Sequence, residues 1–91
     1  MKYEWNIEKA QKNQESRGVD FSMIHDFNWD AAVILVDDRH DYNEVRYVAL
    51  GLIEDRVYNC VFTDRRNKRR IISLRKANKR ESIFYERERD A

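Results

Sequence analysis

Nine Lys and Arg residues, and no Asp or Glu, lie between Arg65 and Arg80. Such a block sets up a local positive field that favours a polyanion or an acidic partner. Ile71, Ile72 and Leu74 interrupt it, so the block reads as a folded element that holds its cations at fixed places. Arginine suits this chemistry. Its planar guanidinium grips a phosphate through two parallel N–H donors and keeps its charge near neutrality. Arg46, Arg70 and Arg75 fall in strand-like segments, and a strand is a rigid mount for a phosphate clamp. The alternative for each is an ion pair with a surface carboxylate.

Proton transfer needs other groups. The polar segment RHDYNEVR holds His40, Glu44 and Arg46. An imidazole exchanges its proton near pH 7, and Glu44 is spaced to orient His40 or to act as base. The alternative is a loop histidine with no role. His25 lies among apolar residues and reads as structural. Cys60 alternates with Tyr58 and Phe62, which makes it a packing position. Tyr85 either packs or offers its hydroxyl to a site. One cysteine and two distant histidines make no metal-ligand signature, so neither a metal nor a cofactor is expected.

These residues need a scaffold. The chain has 91 residues, 42% hydrophobic and 38% charged, with four Phe, five Tyr and two Trp. That suits one small domain over residues 1–91 with one core and a shallow site. The net charge of +1 conceals an asymmetry: residues 1–63 carry 7 basic and 12 acidic residues, residues 64–91 carry 11 and 5. No apolar run approaches the roughly 20 residues of a membrane span, and the N-terminus lacks an apolar signal core. A cytoplasmic location without membrane contact is expected.

Asn6 caps a helix expected to run to about Arg17, with Gly18 as its stop. Asp20 caps a second, short helix carrying Phe21, Ile24 and Phe27. Ala31–Val36 reads as a buried strand, followed by Val45–Ile53, Val57–Thr63 and Arg69–Arg75. Gly51 marks a bulge or a close backbone approach. The short turns imply an antiparallel meander. Asn78 and Glu81 have capping-box spacing, which starts a helix from about Lys79 to Arg89. The expected class is α+β, with two N-terminal helices, a four-stranded mainly antiparallel sheet and a C-terminal helix. The helices would cover one sheet face and leave the other for a ligand. Strand alternation places Ile72 and Leu74 against the helices, and Ser73 and Arg75 on the open face.

Three stretches resemble the BrnT toxin family: WNIEKAQKNQESRGVDF, DDRHDYNEVRYVALG and RRIISLRKANKRE, with Tyr85 following. One departure stands out. Ser16 and Arg17 precede Gly18 where the family usually has Lys-His, and Arg17 keeps a charge but cannot shuttle a proton. The resemblance implies a RelE-like fold and a type II toxin–antitoxin toxin that cleaves RNA without a metal and arrests translation. The implied partner is a BrnA-type antitoxin with a ribbon-helix-helix DNA-binding part, through which the complex reaches its operator. On that reading Arg46, Arg70 and Arg75 stabilise charge, His40, Glu44 and Tyr85 supply proton transfer or substrate contact, and Lys76, Lys79 and Arg80 hold the RNA backbone. Two other readings are open: a non-catalytic module binding RNA or the antitoxin, and a ParE-like topoisomerase poison.

Overall fold

Local capping signals set both helices. The Asn6 side chain accepts the Lys9 N–H at 3.0 Å, and Gly18, at φ 69°, ends α1 (Ile7–Arg17) in the left-handed region. Asn78 and Glu81 form the reciprocal capping box of α2 (Lys79–Arg89). Between these helices the chain makes a 3-10 helix, Phe21–Asp26, where an ordinary second helix was expected. Six residues suffice there to bury Phe21 and Ile24.

The computed structural model describes residues 1–39 and 41–90. Five strands form one sheet: β1 (Lys2–Glu4), β2 (Val33–Asp37), β3 (Arg46–Ile53), β4 (Arg56–Arg65) and β5 (Lys68–Lys76). Their order is β1-β5-β4-β3-β2, with β1 parallel to β5 and every other pair antiparallel. The α+β class stands, but a RelE-like arrangement of two helices before four strands does not. A strand comes first, and the sheet is mixed. The two hairpins turn on Glu54–Asp55 and Arg66–Asn67, with φ of 57° at Glu54 and 54° at Arg66, so β4 and β5 run further into their turns than the sequence suggested.

The helices occupy both faces, which corrects the expectation of one covered and one free. On one face α1 and the 3-10 helix pack on a core of eleven buried residues, among them Phe21, Ile24, Ala49, Cys60, Phe62, Ile71 and Leu74. On the other, α2 covers a smaller cluster of Leu50, Val57, Ala77 and Tyr85. The two-sided cover explains why β3 is apolar on both faces. The Ala31–Val36 run was expected to be buried. Instead β2 is the sheet's edge, and Val36 is 62% exposed.

Strand β5 breaks simple alternation. Ser73 pairs with Val61 and Ile71 with Phe62, so Ile72 is an extra residue opposite the Val61–Phe62 step, a β-bulge. Ile71 and Leu74 are therefore the core pair, at 2% and 0% exposed, and Ile72 is half-buried. The expected Ile72–Leu74 pairing is corrected by that one inserted residue. Beyond β1, Asn13 of α1 binds the free edge of β5, donating to the Leu74 carbonyl at 2.7 Å.

Gly51 is a close-approach position. A Cβ there would lie 2.6 Å from Cζ of Phe27, whose ring is buried and edge-on to Trp29. Gly51→Ala is expected to destabilise the fold by about 1–3 kcal/mol through overpacking, read as a lower Tm in thermal melts. An unchanged Tm would show that the Phe27 ring moves aside freely.

Candidate nucleic-acid interface

The bulge has a consequence for charge. Arg70 and Arg75 are five residues apart, an odd separation that would put them on opposite faces of a regular strand. The extra residue restores their parity. Arg70 pairs with Thr63 and Arg75 with Asn59, on the α2 face. Arg46 lies on this face too, in alternation with Val48, Leu50 and Leu52. Arg46, Arg70 and Arg75 thus share one face.

Three rows of side chains cross that face. The first reads Glu4, Arg70, Thr63, Arg46, Asp37 from β1 to β2. The second reads Ser73, Val61, Val48, Leu35. The third reads Arg75, Asn59, Leu50, Val33, and α2 overlies part of it. Rows are roughly 7 Å apart, two residues of strand rise. Between the apolar second row, the β2 edge and the first turn of α2 lies a groove of about 470 Å³. Arg75, Arg80 and Glu81 border it on one side, and Asp37 and Arg39 on the other.

Each of these three arginines has a carboxylate neighbour. Arg75 donates to both oxygens of Glu81, at 2.8 and 2.9 Å. Arg46 donates through Nε to Glu44 at 3.3 Å, and its guanidinium lies 3.8 Å over the Tyr42 ring. Arg70 reaches Glu4 through Nη1 at 3.4 Å, the longest of the three. Arg65 also binds Glu44, at 2.9 Å. The Arg65 hydrogen bond chiefly holds the Glu44 carboxyl below the usual glutamate range against a small desolvation cost, with Arg46 adding to the effect. A carboxylate so held is a weak proton acceptor, so Glu44 suits an ion-pair partner better than a general base. Glu81 is lowered as well. Burial raises its proton affinity, and hydrogen bonds from Arg75, the Asn78 backbone and Asn59, with the Arg75 charge, outweigh that.

Other expected site residues lie elsewhere. Tyr85 is 0% exposed in the α2 core, and its hydroxyl has no hydrogen-bond partner among the described residues. It packs, and it does not reach the groove. Lys76 is exposed and pairs with Tyr58, a member of the α1-side core, so it faces away from Arg75. Lys79 and Arg80 are exposed on the first turn of α2. His40 lies outside the described residues. His25 is edge-on to Tyr3 at 5.2 Å, and its 3-10 helix belongs to the α1 side. Burial pushes the Cys60 thiol up to about 12, consistent with packing. Ser16 and Arg17 form the exposed last turn of α1, with the Ser16 hydroxyl donating to the Lys12 carbonyl at 2.8 Å.

Reading the sequence missed several contributors. Glu81 was assigned only a capping role, and Glu4, Asn59, Thr63 and Asp37 none. Asp37 is buried and binds Arg39 at 2.8 and 3.0 Å. Its polar neighbours in DDRHDYNE were the available signal. Arg69 belongs to the basic block but is tucked between Trp29 and Phe62, 4.4 and 4.3 Å from the ring centres, and bound to Asp64. Among the described residues no three His, Cys, Asp or Glu side chains gather as a metal site, and no helix is long and apolar enough to cross a membrane.

The fold of this small α+β domain is also found among solved structures. The crystal structure of the Brucella abortus ribonuclease toxin BrnT matches with a TM-score of 0.68 and 23% identity, covering 87% of this chain and 99% of that one. That likeness establishes the fold. The family model for the ribonuclease toxin BrnT of type II toxin–antitoxin systems matches residues 5–81. The chain belongs to the BrnT family of ribonuclease toxins. No curated protein sequence matches it.

The unpartnered Tyr85 hydroxyl generates a test. Leaving a buried polar group unsatisfied costs about 1–3 kcal/mol. Tyr85→Phe is therefore expected to hold or raise the Tm. A fall of several degrees would show that the hydroxyl has a partner that matters.

Proposed function

We propose that this chain is a toxin that cleaves RNA internally without a metal ion, arrests translation in the cytoplasm and is neutralised by an antitoxin. The observation that carries the reading is the placement of Arg46, Arg70 and Arg75 on one sheet face, with Arg75 bordering a groove. Family membership supports the ribonuclease activity and the antitoxin.

In metal-independent cleavage the 2′-oxygen attacks the adjacent phosphorus as it loses its proton. Negative charge builds on the equatorial oxygens, and the 5′-oxygen leaves with a proton. The products are a 2′,3′-cyclic phosphate and a 5′-hydroxyl. Arginines aimed at the equatorial oxygens supply charge stabilisation, often the largest single contribution. Arg70, held by one long contact, is the easiest of the three to recruit. The proton carrier in this reading is His40, assigned on sequence grounds, since His25 sits on the α1 side. Arg80, which borders the groove, and the exposed Lys79 beside it steer the backbone. The antitoxin is of the BrnA type and brings a ribbon-helix-helix part that reaches operator DNA. It covers the same arginine face, where basic and apolar surface adjoin.

Incubating the purified protein with RNA, with and without a chelator, tests the reading. Chelator-resistant cleavage is expected. RNA binding without cleavage would instead indicate a binding module, and gyrase inhibition without cleavage a topoisomerase poison. Arg75→Ala should slow single-turnover cleavage by about 10²–10³. Lys79→Ala should weaken RNA binding and its salt dependence with little change in rate at saturation. Equal effects of the two on the rate would merge the roles separated here.

A second test concerns the partner. Co-expression with the product of the neighbouring small gene, followed by size exclusion, should give one complex, and substituting both Arg70 and Arg75 with Glu should dissociate it. Separate migration of the wild-type proteins at low salt counts against the toxin–antitoxin assignment.

A further inference from the structure

Glu81 makes four hydrogen bonds to groups from three elements. It accepts from Arg75 Nη1 and Nη2 at 2.8 and 2.9 Å, from Asn59 Nδ2 at 2.8 Å, and from the Asn78 backbone N–H at 2.9 Å. Asn59 is buried in β4, and Asn78 is the cap of α2. One carboxylate therefore ties β4, β5 and α2 together at the groove. A capping glutamate needs only the last of these contacts.

The pattern of occupied donors is informative. A guanidinium has five N–H groups. Glu81 takes one from each terminal nitrogen of Arg75, and the Lys76 carbonyl takes a second from Nη1 at 3.3 Å. Among the described residues nothing takes the Nε–H or the remaining Nη2–H. They form the side edge of the guanidinium, a parallel pair that matches two oxygens of one phosphate. The Arg75 side chain is 28% exposed, enough for that edge to meet a ligand in the groove it borders.

We infer that Glu81 is a positioning residue for RNA cleavage, fixing the Arg75 guanidinium so that its Nε and Nη2 edge meets the scissile phosphate. This rests on the role given to Arg75 above. Glu81 also places a negative charge next to the RNA, so it opposes ground-state binding while it orders the group that acts in the transition state. Those opposed effects distinguish it from a purely structural residue and from a mask over Arg75.

The test uses Glu81→Gln, which keeps a carbonyl oxygen to accept from Asn78, and Asn59→Ala, which removes the buried anchor and leaves the cap intact. Single-turnover cleavage and RNA affinity are measured for each, beside wild type, Arg75→Ala and the Arg75→Ala/Glu81→Gln double variant. Glu81→Gln should slow cleavage about 10–10²-fold, while RNA affinity stays equal or rises up to about fivefold. Asn59→Ala should slow it less. The double variant should be no slower than Arg75→Ala, because both changes remove the same interaction. The Arg75 Nε–H resonance should be resolved in wild type and lose its distinct shift in Glu81→Gln, a readout independent of activity. Unchanged cleavage in folded Glu81→Gln overturns the inference, and so does faster cleavage, which would make Glu81 a mask. Equal slowing by Glu81→Gln with and without Arg75 overturns it too. An inactive wild type, or Arg75→Ala at full rate, removes the functional reading itself and this inference with it.

Discussion

One inserted residue sets the parity of β5, and both the core and the arginine face depend on it. Ile71 and Leu74 are three apart, Arg70 and Arg75 five apart, and regular alternation would split each pair across the sheet. The bulge at Ile72 reunites both pairs at once. Without it, burying Leu74 would turn Ile71 outward and press Arg70 toward the aromatic core beside Phe62. Fully burying each aliphatic side chain is worth about 1.5–3 kcal/mol. That gain outweighs the one disrupted ladder position, so the hydrophobic core is what holds the arginines in place.

The same face shows how a chain of net charge +1 presents cations selectively. Its arginines are matched in the free protein by Glu4, Glu44 and Glu81. Half-exposed pairs of this kind contribute only about 0–1 kcal/mol each. An anion can therefore displace one at small cost, and the Arg70–Glu4 contact at 3.4 Å is the loosest. Glu81 differs because Asn59 and the helix cap hold it independently of Arg75. The face thus combines exchangeable partners at β1 and the β3 entrance with a fixed one at α2.

What the sequence disclosed followed from the range of the forces involved. Asn6, Gly18, Asn78 and Glu81 act within three or four residues, and both helix boundaries could be read from them. The three meander strands follow from short-period patterning and tight turns. Strand β1 was missed: Tyr3 and Trp5 alternate with Lys2 and Glu4 and pack on the core, but the run is short and its partner, residues 68–70, is far away in sequence. The bulge has no glycine or other local marker, so strict alternation misplaced Ile71, Ile72 and Arg70. The apolar run at 31–36 suggested burial, but its place at the sheet edge is a property of strand order. At the candidate site the arginine types were legible. Their carboxylate partners at Glu4 and Glu81, 66 and 6 residues away, were set by tertiary packing.

The two faces of the sheet also differ in how much they bury. The α1 side locks eleven buried residues with edge-on aromatics such as Trp5–Phe21 and Trp29–Phe62. The α2 side has four, one of them Tyr85 with an unsatisfied hydroxyl. Helix α2 covers the smaller cluster, and it carries Arg80 and Glu81 to the groove. The bidentate Arg75–Glu81 pair and the Asn59–Glu81 bond therefore do more than orient a guanidinium. They fasten α2 to the central strands at the point where the groove needs a fixed wall.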